Sequence, residues 1–426
     1  MDSRGLDNRT RAEYVLVIPL REAVLMDTNE RKILTTTCFG HFMSHFNMLM
    51  FPALVLPLTG RYHMDLSHVL ALSFWMYLLF GISALPWGLL SYRIGARPLL
   101  SALYTGAGLC AMAAGWFLDS PEIFSLCLAG VGLFSGIYHP AGLGLISRGV
   151  DRLSMALGYN GMAGNAGLAL APILAGVVNH LYGLRAAFFF LGALNLMGTL
   201  IMLALPVTEP ERTSSAASEG PKGLMLGFAL LCICMTLGGI SYRSLTVILP
   251  SYFELRNPGL IHALSGLTWL PVSRNVAATA LTSLVFLVGI FGQYIGGFVG
   301  ERFEPRRAYL VFHVMTIPLA LAMAYTTDVP LLLITMAYAL FLLGMQPIEN
   351  TLVARFTPDA LRHSAYGTKF ILSFGVGSLA IYLVGWVKQA WSLPGVFVAM
   401  TVVAMLTVLF ILLLIVATRR TASELS

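Results

Sequence analysis

From residue 33 to residue 417 the chain runs as a series of apolar stretches, each long enough to cross a bilayer, separated by short polar loops. A spanning helix needs about 20 mostly apolar residues, because the hydrocarbon core is about 30 Å thick and a helix rises about 1.5 Å per residue. Twelve segments meet that length: 33–58, 68–90, 98–118, 122–147, 153–180 and 185–206, then 223–250, 276–300, 307–326, 329–353, 363–387 and 393–417. Charged residues make up only 11% of the chain, against roughly 25% in an average soluble protein, while hydrophobic residues reach 57%. So few charges cannot coat a globular surface, and the chain needs the lipid bilayer as its solvent. The expected fold class is all-α and integral to the membrane, with twelve transmembrane helices.

The same composition excludes other classes. Lys and Arg number 26 and leave a net charge of +6, but they are scattered, so no stripe exists to follow a nucleic-acid backbone. The five cysteines all sit in apolar runs without a C-x-x-C pair, which points to neither a disulfide framework nor a zinc site. No H-E-x-x-H, G-x-S-x-G or phosphate loop is present, so no enzyme and no cofactor is expected.

Residues 207–222 are polar and rich in Ser, Gly and Pro, and they divide the spans into six and six. The expected organisation is an N-terminal tail (1–32), a six-helix bundle (33–206), a linker (207–222), a second six-helix bundle (223–417) and a C-terminal tail (418–426). Tyr14–Leu20 is too short an apolar core for a signal peptide and is followed at once by Arg21 and Glu22. With the N-terminus inside, nineteen Lys and Arg fall in cytoplasmic segments and five in external loops. The excess of basic residues on one side places both termini in the cytoplasm of a cell that carries this chain in its inner or plasma membrane. A monomer is expected.

One loop pattern occurs twice. Gly88-Leu-Leu-Ser-Tyr92-Arg93-Ile-Gly95-Ala-Arg97 follows the second span, and Gly297-Phe-Val-Gly-Glu301-Arg302-Phe-Glu304-Pro-Arg306 follows the eighth, at an offset of 209 residues. A repeat at matching loops of two six-span halves argues for parallel structural repeats. The loop resembles the G-x-x-x-D-R-x-G-x-R signature of the major facilitator superfamily, and the resemblance extends over all twelve spans. It implies two pseudo-symmetric bundles, with the acid and arginines latching the cytoplasmic gate. Tyr92 replaces the acid in the first copy, whereas Glu301 keeps it in the second. Read without the resemblance, these arginines are anchors on the positive side of the membrane.

Span five carries Gly158, Gly167, Ala171, Pro172, Ala175 and Gly176. Ala163, Gly167, Ala171 and Ala175 fall four apart and give a smooth face for close helix approach, while Pro172 bends the helix. The spacing is similar to the superfamily's antiporter motif, and it also serves packing alone. Three more stretches look like the fosmidomycin-resistance branch: His41-Phe42-x2-His45-x6-Pro52, Tyr138-His139-Pro140, and Arg243-Ser244 with Leu249-Pro250. That branch usually carries Asp where His45 stands.

Ionisable groups at lipid depth are costly and usually face a cavity. Arg243 is the clearest, about twenty residues into span seven; snorkelling or a structural pair is the plainer reading. His45 and Arg243 each stand seven residues before a proline in the first span of their half, so spacing suggests that they face one central cavity. His139 precedes Pro140, whose missing donor frees a carbonyl that the imidazole or the Tyr138 hydroxyl can satisfy. His41 lies one turn before His45, where packing is the better reading, and no third ligand for a metal is evident. Glu349 and Lys369 read as an interfacial pair near the cytoplasmic ends, and Asn160, Asn165 and Gln346 as substrate hydrogen-bonders or interhelical ties. The function expected is secondary transport of a small, anionic molecule coupled to protons, with efflux by antiport ahead of uptake by symport and of a non-transporting receptor or scaffold.

Overall fold

A computed structural model describes residues 26–209, 222–266, 272–357 and 362–419. Most of both tails and of the linker expected at 207–222 lie outside the described residues. Every regular element among the described residues is helical. Nine helices are long and apolar enough to cross a membrane, and up to eleven when each of two bent pairs is taken as one span.

The first bent pair is α1 (Thr28–Ala53) and α2 (Val55–Tyr62), which meet at 47°. The helix opens on a capping box: Asp27 accepts from the Glu30 amide at 2.8 Å, and the Glu30 carboxylate accepts from the Asp27 amide at 3.0 Å. Pro52 lies in its last turn, so the expected span 33–58 is two pieces rather than one rod. The second pair runs through α3 (Leu66–Ala71) and α4 (Phe74–Ile82) into α5 (Ala84–Ile94) with a bend of 45°, and Pro86 stands in the first turn of α5. Next come α6 (Ala96–Trp116), α7 (Pro121–Ser135) and α8 (Tyr138–Gly149), the last two forming one span broken at Gly136 and Ile137.

Helix α9 (Leu153–Ala204) is 52 residues long, which at about 1.5 Å per residue is more than twice the bilayer core. It is interrupted at Gly183, whose φ of 85° and ψ of 171° only glycine adopts without strain. The loop expected between 180 and 185 is reduced to that one residue. The second half holds α10 (Lys222–Arg256), α11 (Pro258–Ser265), α12 (Arg274–Arg302), α13 (Pro305–Tyr325) and α14 (Asp328–Arg355), then α15 (Arg362–Phe370), α16 (Ala380–Ala390) and α17 (Gly395–Ala417). Sequence reasoning treats 363–387 as continuous, but between α15 and α16 the backbone passes through a π turn (Ile371–Gly375) and a 3-10 turn (Val376–Leu379). The reason is close contact: Gly375 backbone lies against Gly81 of α4, and Ser373 backbone against Gly239 of α10.

Small residues set the helix spacing. In α9 a side chain at Gly167 would strike the Phe42 carbonyl of α1, and one at Gly176 would strike Thr279 of α12, whereas Gly158 faces open space. Beyond Pro172, the Ile173 amide donates to Ser283 Oγ of α12 at 3.0 Å. Where α12 crosses α14, an added Cβ at Gly296 would collide with the Gly344 carbonyl, while at the neighbouring Gly297 the nearest atom is Pro347 Cβ at 4.0 Å. Gly296→Ala is therefore expected to lower stability by about 1–3 kcal/mol through overpacking, and Gly297→Ala to be neutral or slightly stabilising. Thermal unfolding of the two variants in one detergent checks this; equal losses would refute it.

Candidate functional site

Helices α1, α4, α8, α10 and the irregular turn after α15 bring the expected polar residues to the middle of the molecule. His41 and His45 share one face of α1, as their spacing of four requires, and their Nε2 atoms are 3.1 Å apart. His139 of α8 joins them, its ring centroid 5.4 Å from His41 and 5.6 Å from His45. The site nitrogens of the three rings all lie within 4.8 Å of one another. Sequence reasoning found no third residue for this pair; the fold supplies it from a separate helix.

The surroundings fix these rings. His41 Nδ1 donates to the Asn160 carbonyl at 2.8 Å, and its ring stacks on Tyr138 at 4.8 Å. Tyr138 in turn donates to Asn160 Oδ1 at 2.8 Å, so its hydroxyl does not serve the carbonyl freed by Pro140, as the sequence suggested. His139 is buried among aromatic rings: Phe370 at 4.5 Å, Phe80 at 5.8 Å and Phe374 at 6.0 Å. Phe370 and Phe374 come from the second half of the chain, so the histidine cluster sits where the halves meet.

Arg243 of α10 is 2% exposed. Its guanidinium lies over the Tyr77 ring of α4 at 3.8 Å and near Tyr242 at 5.9 Å. The Tyr77 hydroxyl donates to the Met48 carbonyl of α1 at 2.7 Å, which holds the ring in place. No carboxylate pairs with Arg243 among the described residues, and its Nε has no hydrogen-bond partner there. It does not snorkel. A cation–π contact is worth about 2 kcal/mol when desolvated, far less than the hydration lost by a buried guanidinium.

Glu349 of α14 and Lys369 of α15 do form a pair, at 2.7 Å. It is buried rather than interfacial, since the side chains are 3% and 10% exposed. Tyr309 of α13 donates to Glu349 Oε2 at 2.7 Å, and Lys369 also donates to Asn350 Oδ1 at 2.5 Å. His313 packs edge-on against Tyr309 at 4.6 Å with its Nε2 unpartnered among the described residues. Sequence reasoning missed both Tyr309 and His313, although a histidine in an apolar run was the available signal for the second. Asn165 is a tie between the halves: its amide donates to Gln293 of α12 at 2.7 Å, which donates to Gln346 of α14 at 3.1 Å. Also missed was the buried amide pair Asn47–Asn195, closed by bonds of 2.8 Å and 3.1 Å.

The repeated loops occupy matching places. Gly88 faces Pro140 of α8, which a side chain added there would meet, and Gly297 faces Pro347 of α14. In the first copy Gly95 has a φ of 97°, and the amides of Ala96 and Arg97 donate to the Glu209 carboxylate at 2.9 Å and 2.7 Å. In the second copy Glu304 caps α13 itself and receives Arg306 Nε at 2.7 Å, while Arg306 also donates to Thr418 Oγ1 at 2.7 Å. Glu209 and Thr418 stand at the same 209-residue offset as the loops. The acid bonded to Arg306 is thus Glu304; Glu301 is exposed, and Arg302 lies over the Phe298 ring at 4.0 Å. At the opposite ends of the helices Asp119 is paired with both Arg61 and Arg185, and the hydrogen bond from Arg61 holds its carboxyl below the usual carboxylate range.

Comparison with known proteins identifies the family and the fold. The profile of the Major Facilitator Superfamily matches residues 37–273 and, a second time, 231–426. The inner membrane transport protein YajR of Escherichia coli (strain K12) is 24% identical over 374 residues, covering 81% of this chain and 76% of that protein. Among solved structures, a bacterial homologue of the human lysosomal transporter Spinster, inward-facing and unoccupied, superposes with a TM-score of 0.74 at 14% identity over 92% of this chain and 98% of its own. A peptide transporter POT in complex with sulfate superposes with a TM-score of 0.69 at 15% identity over 91% and 94%. A family profile spanning both halves, a duplicated loop and a fold shared with solved transporters lead to one conclusion: the chain belongs to the Major Facilitator Superfamily, and it is a multi-pass membrane protein that moves a small solute by secondary transport rather than an enzyme.

Proposed function

We propose that the protein carries a small organic or inorganic anion by alternating access, with two six-helix bundles (33–206 and 223–417) rocking about the solute. Twelve spans follow if the two bent pairs count once each and α9 is divided at Gly183. The observation that carries the anionic substrate is Arg243, buried at the meeting of the halves with no carboxylate beside it among the described residues. A charge so placed is stabilised when an anion arrives, and its guanidinium offers a planar fork for carboxylate or phosphate oxygens. His45, His139 and Asn165 form the polar wall of the path, and the Glu349–Lys369 pair carries the coupling proton. The gate residues are Gly88, Arg93, Gly95 and Arg97 with Gly297, Glu301, Arg302 and Arg306.

Coupling to protons by efflux is the direction we favour, because span five and the three stretches resembling the fosmidomycin-resistance branch both point there. Uptake by symport is the second reading, favoured by the cationic character of the centre, where proton and anion assist one another. The test is flux of radiolabelled small anions into vesicles of both orientations, with and without a pH gradient. Anion accumulation driven against its gradient by a proton gradient is the expected result, and the sign of the pH gradient that drives it separates antiport from symport. Preference for cations, or flux indifferent to a pH gradient, would refute the reading. In the same vesicles a reporter fused after Ser426 is expected on the cytoplasmic side.

A further inference from the structure

We propose that His41, His45 and His139 form a binding site for a divalent transition-metal ion of the zinc, cobalt and nickel class. The site goes beyond anion transport and does not depend on it. Two nitrogens bound to one tetrahedral zinc, each about 2.0–2.1 Å from the ion, stand about 3.3 Å apart. Here one pair is 3.1 Å apart and the whole trio lies within 4.8 Å. Closing it on an ion takes ring movements of the order of 1 Å.

The hydrogen-bond pattern is that of a ligand set. The Asn160 carbonyl can only accept, so the proton of neutral His41 sits on Nδ1, and Nε2 keeps its lone pair on the side facing His45. Metal-binding histidines are commonly oriented in this way, through the second nitrogen onto a backbone carbonyl. Without an ion, His45 Nε2 donates to His41 Nε2. With one, His45 adopts its other tautomer, the proton passing from Nε2 to Nδ1, and both Nε2 atoms are free to bind. Imidazole donors select zinc, cobalt, nickel and copper over magnesium and calcium.

Charge decides the fourth ligand. Three neutral imidazoles do not offset the two charges of the ion, and Arg243, across the Tyr77 ring on α4, adds another. An anion in the fourth position balances the centre. All three histidines belong to α1 and α8, so the ion stays with the first half when the halves rearrange.

The experiment is a titration of the full-length protein, purified in detergent at neutral pH, with cobalt chloride. The expected result is a visible ligand-field band of tetrahedral Co2+ that saturates at one ion per chain, is displaced by zinc and is unaffected by magnesium. His45→Ala and His139→Ala should each weaken binding on the order of 100-fold. His139→Cys keeps a ligand and should retain the ion with a changed spectrum, which separates loss of a ligand from loss of fold. No saturable band, or unchanged binding in a His45→Ala, His139→Ala double variant, overturns the site. Arg243→Gln removes a neighbouring positive charge and should keep or tighten cobalt binding while anion binding is lost, so failure of the anion reading and failure of the metal site are distinguishable.

Discussion

Replacing Arg243 by Gln is expected to weaken binding of the proposed anionic solute on the order of 100-fold and to abolish its saturable transport. That loss corresponds to about 3 kcal/mol, the upper end for hydrogen bonds to a charged group. Arg243→Lys should recover part of the loss, because the charge survives while the bidentate fork does not. Stability should move the other way. The guanidinium is buried without a carboxylate partner among the described residues, so removing it relieves a desolvation cost, and Arg243→Gln should melt no lower than wild type. A structural arginine would give the opposite pattern: lower stability with transport per folded molecule preserved. Equilibrium binding and thermal unfolding of the same preparation separate the two.

The second large effect is expected at Glu349. Glu349→Gln leaves Lys369 charged in a niche where its side chain is 10% exposed, at a cost of about 3–5 kcal/mol. Groups facing the carboxylate come from three helices: Tyr309 and His313 from α13, Lys369 from α15 and Cys234 from α10. Glu349 is the carboxylate that holds Lys369 across α14 and α15, and in the function proposed above this pair carries the coupling proton. Transport by Glu349→Gln should accordingly lose its dependence on the proton gradient while still permitting exchange of solute. The double variant Glu349→Gln, Lys369→Met removes the orphaned charge and should regain much of the stability without regaining the coupling. If either variant keeps a proton-driven flux, the coupling proton resides elsewhere.

That the chain is all-helical and crosses the membrane many times was legible, because the cause is one-dimensional: lipid thickness demands length and apolarity, and the sequence displays both. Twelve spans were expected where nine helices, or up to eleven, meet the test among the described residues. Breaks in those spans were legible only in part. Pro52, Pro86 and Pro140 stand at three of them, but the irregular turn at 371–379 arises from Gly375 meeting Gly81 across the molecule, and no local pattern encodes that. Arg243 was visible for the same reason as the spans, as a charge in an apolar run. The histidine trio was half visible: helix geometry pairs His41 with His45, whereas His139 reaches them through the packing of α8 on α1. Glu349 and Lys369 were correctly associated but misplaced. Distance from a helix end measures depth along the chain, and only the neighbouring helices reveal whether water can reach a side chain.

The two halves have divided the task of holding their third helices differently. In the second half Glu304 lies beside the helix it caps, so the joint is complete within the loop. In the first half Gly95 stands at that position and the carboxylate comes from Glu209, near the start of the segment 207–222 that joins the halves. A proteolytic nick or an insertion in that segment therefore acts on the two copies unequally. It slackens the chain at the residue that anchors α6, and leaves the equivalent anchor of α13 untouched.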